Sequence, residues 1–163
     1  MNKMFFTQAE ITSPWKDFQR MYVSGGDLLV QLDEGAFMPE RAHSTDAGLD
    51  LRSPIGVSLF PLHGIGIRTG IHIQLPPGTA GMLKSKSGLN TKFGITSEGV
   101  IDEGYSGEIV VKLYNHSSDT FHIKRGDKIS QLVILPVLRP TPVQVDKIEG
   151  GERGDNGFGS TGR

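Results

Sequence analysis

From Ile65 to Leu75 the chain alternates strictly. Ile65, Ile67, Thr69, Ile71, Ile73 and Leu75 fall on one side, and Gly66, Arg68, Gly70, His72 and Gln74 on the other. Successive side chains of a strand point to opposite faces, so this period of two reads as a half-buried strand and not as a helix. The pattern returns where Ile109, Val111 and Leu113 alternate with Val110, Lys112 and Tyr114. Leu28–Leu32 reads as a shorter strand, and Ile129–Val137 is so continuously apolar that burial on both faces is expected. Pro76-Pro77-Gly78, Ser97-Glu98-Gly99, Asp102-Glu103-Gly104 and Arg125-Gly126-Asp127 read as the turns between such strands. Glycine and proline, 22 and nine of the 163 residues, weaken helix interiors and suit tight turns. The expected core is all-β, a sandwich or barrel, with one short internal helix from Ser87 to Phe93.

The two ends read differently from the middle, which divides the chain into residues 1–26, 27–149 and 150–163. Ser13-Pro14 is a helix-start signal, and Ile11, Trp15, Phe18 and Tyr22 follow at helical spacing before Ser24-Gly25-Gly26. This N-terminal extension is expected to form one short helix, packed on the core or on a neighbouring chain; docking to a partner protein is the alternative. Residues 150–163 hold six glycines and a single large apolar side chain, Phe158. Such a segment buries too little to offset its ordering entropy, so a mobile arm is expected in the absence of ligand.

Seventeen basic and eighteen acidic residues leave a formal charge of −1, without the net basic character of a nucleic-acid binder. The absence of cysteine excludes disulfides, thiolate metal sites and a thiol nucleophile. No apolar run approaches the roughly 18 residues of a membrane span. Pro14, Lys16 and Asp17 interrupt what would be a signal core. A cytoplasmic protein with no membrane partner is expected.

Four groups of residues could carry chemistry. Residues 154–161 read Gly-Asp-Asn-Gly-Phe-Gly-Ser-Thr, close to a Walker phosphate loop but with Ser160 in the lysine's place. Only two residues follow Thr161, too few for the helix that a Walker loop requires. What remains is either a glycine tail or a set of backbone amides, hydroxyls and Arg153 able to converge on phosphate oxygens. Lys84-Ser85-Lys86-Ser87-Gly88-Leu89 puts two ammonium groups and two hydroxyls at a helix start, an anion site or a capped surface helix. In Gly99-Val100-Ile101-Asp102-Glu103-Gly104-Tyr105, an aspartate could serve as general base beside a tyrosine stacking platform, or simply form an Asp-x-Gly turn. Asp46 and Asp50 could hold a divalent cation directly or through its waters. The five histidines show no metal-ligand spacing, and two Arg-Gly-Asp tripeptides lack the secreted setting that would make them integrin ligands.

The order of these segments resembles the trimeric dUTPase family, which hydrolyses dUTP to dUMP and pyrophosphate. Five motifs occur in sequence: Ala47–Leu51, Lys86–Leu89, Gly99–Glu108, Gly126–Leu132 and Arg153–Gly162. The resemblance implies a jelly-roll or β-clip fold, a homotrimer with active sites shared between chains, and Mg²⁺ as cofactor. It implies that Asp102 activates the water that attacks the α-phosphorus, and that Tyr105 packs under the deoxyribose and excludes a 2′-hydroxyl. A hairpin of about Phe93 to Tyr105, including Gly99 and Ile101, would present backbone groups to uracil. Lys86, Ser87, Gly88 and Gln131 would hold phosphates, and Asp50 would meet Mg²⁺ through water. The arm would close over the nucleotide, with Phe158 on uracil and Arg153, Gly159, Ser160 and Thr161 at the phosphates.

Two features depart from the family pattern. Ser85-Lys86-Ser87 stands where Pro-Arg-Ser is usual, so the planar two-pronged phosphate contact of arginine is lost. The N-terminal extension has no counterpart in short family members. Two other readings compete. The related dCTP deaminases carry a catalytic glutamate where this chain has Lys112, which cannot take a proton as a carboxylate does. Some phage dUTPases also regulate by occupying a repressor, and the extension could serve such a partner; for a phage protein the compartment would be the host cytoplasm.

Overall fold

The computed structural model describes residues 27–149; the N-terminal helix reading and the arm lie outside the described residues. Ten strands and one helix follow in chain order: β1 Leu29–Leu32, β2 Gly48–Arg52, β3 Val57–Leu59, β4 Gly64–Arg68, β5 Ile71–Gln74, β6 Thr79–Lys84, α1 Ser87–Phe93, β7 Ile95–Ile101, β8 Val110–Asn115, β9 Phe121–Ile123 and β10 Lys128–Pro136. Six strands form a curled sheet in the order β2-β10-β6-β7-β8-β4, and β1-β5 and β3-β9 form two-stranded ribbons. Every named pair is antiparallel. Leu51, Ile67, Ile71, Ile95, Val111, Leu113, Ile129 and Leu132 pack inside, each almost wholly removed from water. Burying such a side chain contributes about 1.5–3 kcal/mol. This all-β arrangement with one short helix is the jelly-roll architecture that the family resemblance implies.

Three local readings need correction. The alternating run 65–75 is two strands, because the chain changes partner at Thr69-Gly70. β4 pairs with β8 and β5 with β1. At the corner the Thr69 hydroxyl donates to the Ile109 carbonyl at 2.7 Å, and Gly70 N–H donates to Glu108 Oε1 at 2.8 Å. Gly70 has φ +68, and a Cβ there would lie 2.9 Å from the Ala36 side chain, so both conformation and space call for glycine. Both strands keep the same inward face, which is why the break leaves no trace in the period.

Ser97-Glu98-Gly99 is not a turn; it lies within β7. Ser97 is buried, its hydroxyl 2.8 Å from that of Ser130, and Glu98 and Gly99 pair with Lys84 and Leu83 of β6. Tertiary pairing overrides turn composition here. β10 is buried only over its first half; Leu135 and the following Val137 and Leu138 are exposed. The other three turns hold, and α1 spans the predicted residues, ending at Gly94.

Candidate active site

β7 has β6 along its whole C-terminal half, from Lys84↔Glu98 to Gly81↔Ile101. On its other side the ladder with β8 covers only Ile95↔Asn115 to Ser97↔Leu113. Beyond Ser97 the two strands part, and the gap is a cavity of about 250 Å³ lined by Leu83, Gly99, Val100, Ile101, Asp102, Tyr105, Glu108, Ile109 and Val110. Gly99, Ile101, Asp102 and Tyr105, all singled out in the sequence, therefore meet around one cleft. Its strand wall has backbone N–H and C=O groups on the side that β8 has left, an edge able to read hydrogen-bond polarity. The predicted Phe93–Tyr105 hairpin is thus one strand and a turn, its partners coming from β6 and β8.

The turn is closed by Tyr105 N–H donating to the Asp102 carbonyl at 3.0 Å. The Asp102 side chain is exposed and makes no hydrogen bond among the described residues. Tyr105 donates its hydroxyl to the Glu108 carbonyl at 2.9 Å, which lays the ring over Gly107. A Cβ at Gly107 would stand 2.5 Å from the phenol oxygen, so the ring takes this position only because residue 107 has no side chain. Glu108 is held by Arg68 at 2.5 Å and by the Gly70 amide. Glu103 Oε2 accepts from Gly78 N–H at 2.8 Å and from the Arg139 guanidinium. The Arg139 hydrogen bond, followed by that of Gly78, holds the Glu103 carboxyl below its ordinary range.

A second cluster gathers at the other end of β6. Asp50, on β2 and 6% exposed, lies between the ammonium groups of Lys86 and Lys128, the latter at 2.6 Å. Burial pushes its pKa up, but the hydrogen bonds and charges of Lys128 and Lys86 outweigh this and hold it below the usual carboxylate value. Gln131 donates to the Ser85 carbonyl at 3.0 Å, and the Ser85 hydroxyl donates to the Ser97 carbonyl. Lys84 is paired with Glu98 at 2.8 Å. In contrast, Ser87 and Gly88 are exposed, the Ser87 hydroxyl has no partner among the described residues, and the space beside Gly88 is open. Asp46 is not joined with Asp50; it caps the His43–Asp46 turn. Among the described residues no three His, Asp or Glu groups come together in a way that could hold a metal ion.

The structure brings together Gly99, Ile101, Asp102 and Tyr105 on one hand, and Asp50, Lys86 and Gln131, with Ser87 and Gly88 adjoining, on the other. It does not bring the two groups together. Ile101 is level with Gly81, and Lys86 lies five residues further along, roughly 15 Å at strand spacing. Arg153, Phe158, Gly159, Ser160 and Thr161 lie outside the described residues. Leu83, Val110, Lys128 and Glu103 also belong to these clusters, although no local pattern in the sequence marks them. Lys128 and Glu103 sit inside quoted motifs, but their partners are far away in sequence. Lys112 lies on β8 with its ammonium 5.5 Å from the Tyr114 ring centroid.

A family model described as dUTPase matches residues 34–162. The chain is 46% identical over 138 residues to the deoxyuridine 5'-triphosphate nucleotidohydrolase of Clostridium kluyveri, spanning 83% of this chain and 96% of the relative. Identity to that of Gloeothece citriformis is 42% over 137 residues, 82% of this chain and 94% of the relative. Among solved structures, the dUTPase of Staphylococcus bacteriophage 80alpha with dUPNHPP superposes with a TM-score of 0.80 at 33% identity, covering 85% of this chain and 100% of that one. A mutant dUTPase from phage phi11 of S. aureus, described as coordinating a structural Mg(II) ion, gives a TM-score of 0.70 at 33% identity over 77% of this chain and all of that one.

Proposed function

The chain belongs to the dUTPase family and is a dUTP diphosphatase, and from that premise we propose that Asp102 activates the attacking water. The observation that carries this is the cleft beside β7, where a carboxylate with no hydrogen-bond partner among the described residues stands next to Tyr105 and an open backbone edge. Uracil lies against the Gly99–Ile101 edge and the deoxyribose against the Tyr105 ring, which puts the α-phosphate beside Asp102. The Asp102 carboxylate takes a proton from water as the oxygen bonds to the α-phosphorus. The bond from that phosphorus to the bridging oxygen breaks, and pyrophosphate leaves with the electron pair. The products are dUMP, pyrophosphate and one proton.

Lys86, Ser87, Gly88 and Gln131 bind the phosphates in this reading. Because Lys86 lies several residues further along the sheet than Asp102 of the same chain, the two clusters serve one nucleotide when they come from different copies. That geometry supports a homotrimer with shared sites. The apolar side chains of Val137, Leu138, Val143, Val145 and Ile148, all exposed in the single chain, offer it an interface. Arg153, Phe158, Gly159, Ser160 and Thr161 complete the site as a closing arm.

Mg²⁺ fits this donor set as an ion carried by the substrate. No three His, Asp or Glu groups among the described residues would cage the ion, and Asp50 would hold it through water with the lone pairs beyond those facing the two lysines. When bound, it neutralises charge on the phosphate oxygens.

The test is Asp102→Asn. Hydrolysis, followed by pyrophosphate release, is expected to fall by about 10²–10⁴-fold with assembly and thermal midpoint unchanged. Activity within a few-fold of wild type would remove Asp102 from the role. Product analysis with dCTP checks the deaminase alternative; deamination is not expected.

A further inference from the structure

We propose that Glu103 and Arg139 are positioning residues for Asp102, clamping the catalytic turn to the Pro76–Gly78 turn and to the first residues of the C-terminal segment. This rests on the reading of Asp102 as the base. The Asp102 carboxylate has no hydrogen-bond partner among the described residues, so its placement depends on the backbone that carries it. Behind that backbone lies a second cavity of about 290 Å³, lined by Thr79, Ala80, Asp102, Glu103, Gly104, Val137 and Arg139. Close packing therefore does not hold the turn from this side.

Polar contacts do. The single oxygen Oε2 of Glu103 accepts from both Gly78 N–H and Arg139. The carbonyl of the same Gly78 accepts from Val137 N–H at 3.0 Å. Two segments thus meet at Gly78, the catalytic turn through Glu103 and the strand end through Val137, and Arg139, two positions after Val137, bonds back to Glu103. Val137 and Arg139 lie on the path that leads to the arm, so the clamp ties the position of the base to the segment from which the arm departs.

An ion pair this exposed contributes little to folding stability, because water screens it. Its value lies in position, where an error of about 1 Å can cost about 10²-fold in rate. The two kinds of effect can be separated in the full-length protein. In Glu103→Ala, kcat for dUTP is expected to fall about 10- to 100-fold, with KM within about twofold and the thermal midpoint nearly unchanged. Arg139→Ala should lose less, since the Gly78 amide still holds Glu103, and Arg139→Lys should recover most of that loss. The double variant should be no worse than Glu103→Ala alone, the mark of two residues acting as one unit.

Wild-type kcat in Glu103→Ala beside an inactive Asp102→Asn would overturn the clamp and leave the base intact. An active Asp102→Asn would overturn both. A lowered midpoint with unchanged activity per folded trimer would make the contact merely structural and also overturn the proposal. If Glu103→Ala does not fold, the Arg139→Ala and Arg139→Lys pair decides by the same kcat criterion.

Discussion

Around Asp102 the groups with chemistry to offer are exposed and weakly engaged, whereas around Asp50 every charge already has an answer. The Asp102 carboxylate and the outer edge of β7 face an open cleft. Asp50 is buried between two ammonium groups, and Gln131 is bonded to the chain beside it. The first arrangement suits a group that must take a proton and an edge that must distinguish one base from another. The second suits capture of a polyanion, because two cations can be kept close together only if a carboxylate between them offsets their repulsion. A phosphate arriving there competes with Asp50 for the lysines instead of meeting bare charge.

The strongest way to break this contrast is to remove the carboxylate. Asp50→Ala leaves two ammonium groups facing each other, partly shielded from water. Because both lysines keep some exposure, a loss of roughly 1–3 kcal/mol is expected, below the cost of orphaning a fully buried charge. The measurement is the denaturant midpoint at unchanged m-value. An unaltered midpoint would mean that the lysines need no counter-charge. The same variant should raise KM for dUTP more than it lowers kcat, whereas Asp102→Asn should do the reverse.

Tyr105→Ala probes the open half and is a smaller perturbation, since the ring is about half exposed. Fold and midpoint should hold, while the ratio of kcat/KM for dUTP over UTP falls about tenfold as space opens under the sugar. Gly107→Ala should move the ratio the same way by a few-fold, because a methyl group displaces the Tyr105 ring from its seat. A Gly107→Ala protein with wild-type discrimination would show that the seat of the ring does not matter.

The contrast also marks what could be read from the sequence. The motif around Asp102 is local: base, tyrosine and the glycine beneath its ring lie within six residues, so one segment names them all. α1 is equally legible, since its seven residues form one short continuous segment. The Asp50–Lys86–Lys128 cluster joins three elements, and nothing local to Lys128 tells that Asp50 faces it. The same holds for the corner at Thr69-Gly70, set by the Ile109 carbonyl some forty residues away. It holds too for Ser97-Glu98-Gly99, whose turn-like composition yields to a place between paired strands. Period and motif report what neighbours in sequence do; pairing across the sheet decides the rest.

The smallest expected effect concerns pH. Asp50 and Glu103 have folded-state pKa values below their unfolded ones, so the stability they contribute is present above about pH 4 and is lost as pH falls through the folded values. His72 works in the opposite sense. It hydrogen-bonds the Ser106 carbonyl at 3.0 Å, next to Tyr105, and reaches Asp33 on its other nitrogen at 3.4 Å. The Ser106 carbonyl, and after it Asp33, raise its pKa above the ordinary 6.5 despite a desolvation cost. Its contribution is therefore complete below about pH 6.5 and disappears as pH rises through the raised value. Because the imidazole lies near the surface, a thermal midpoint change of only a degree or two is expected between about pH 6 and pH 8. His72→Gln should flatten that shallow slope and leave the acid limb, which belongs to Asp50 and Glu103, where it was. An acid limb that moved with His72→Gln would mean that the imidazole is coupled to Asp50 or Glu103, and the assignment of the two limbs to separate groups would fail.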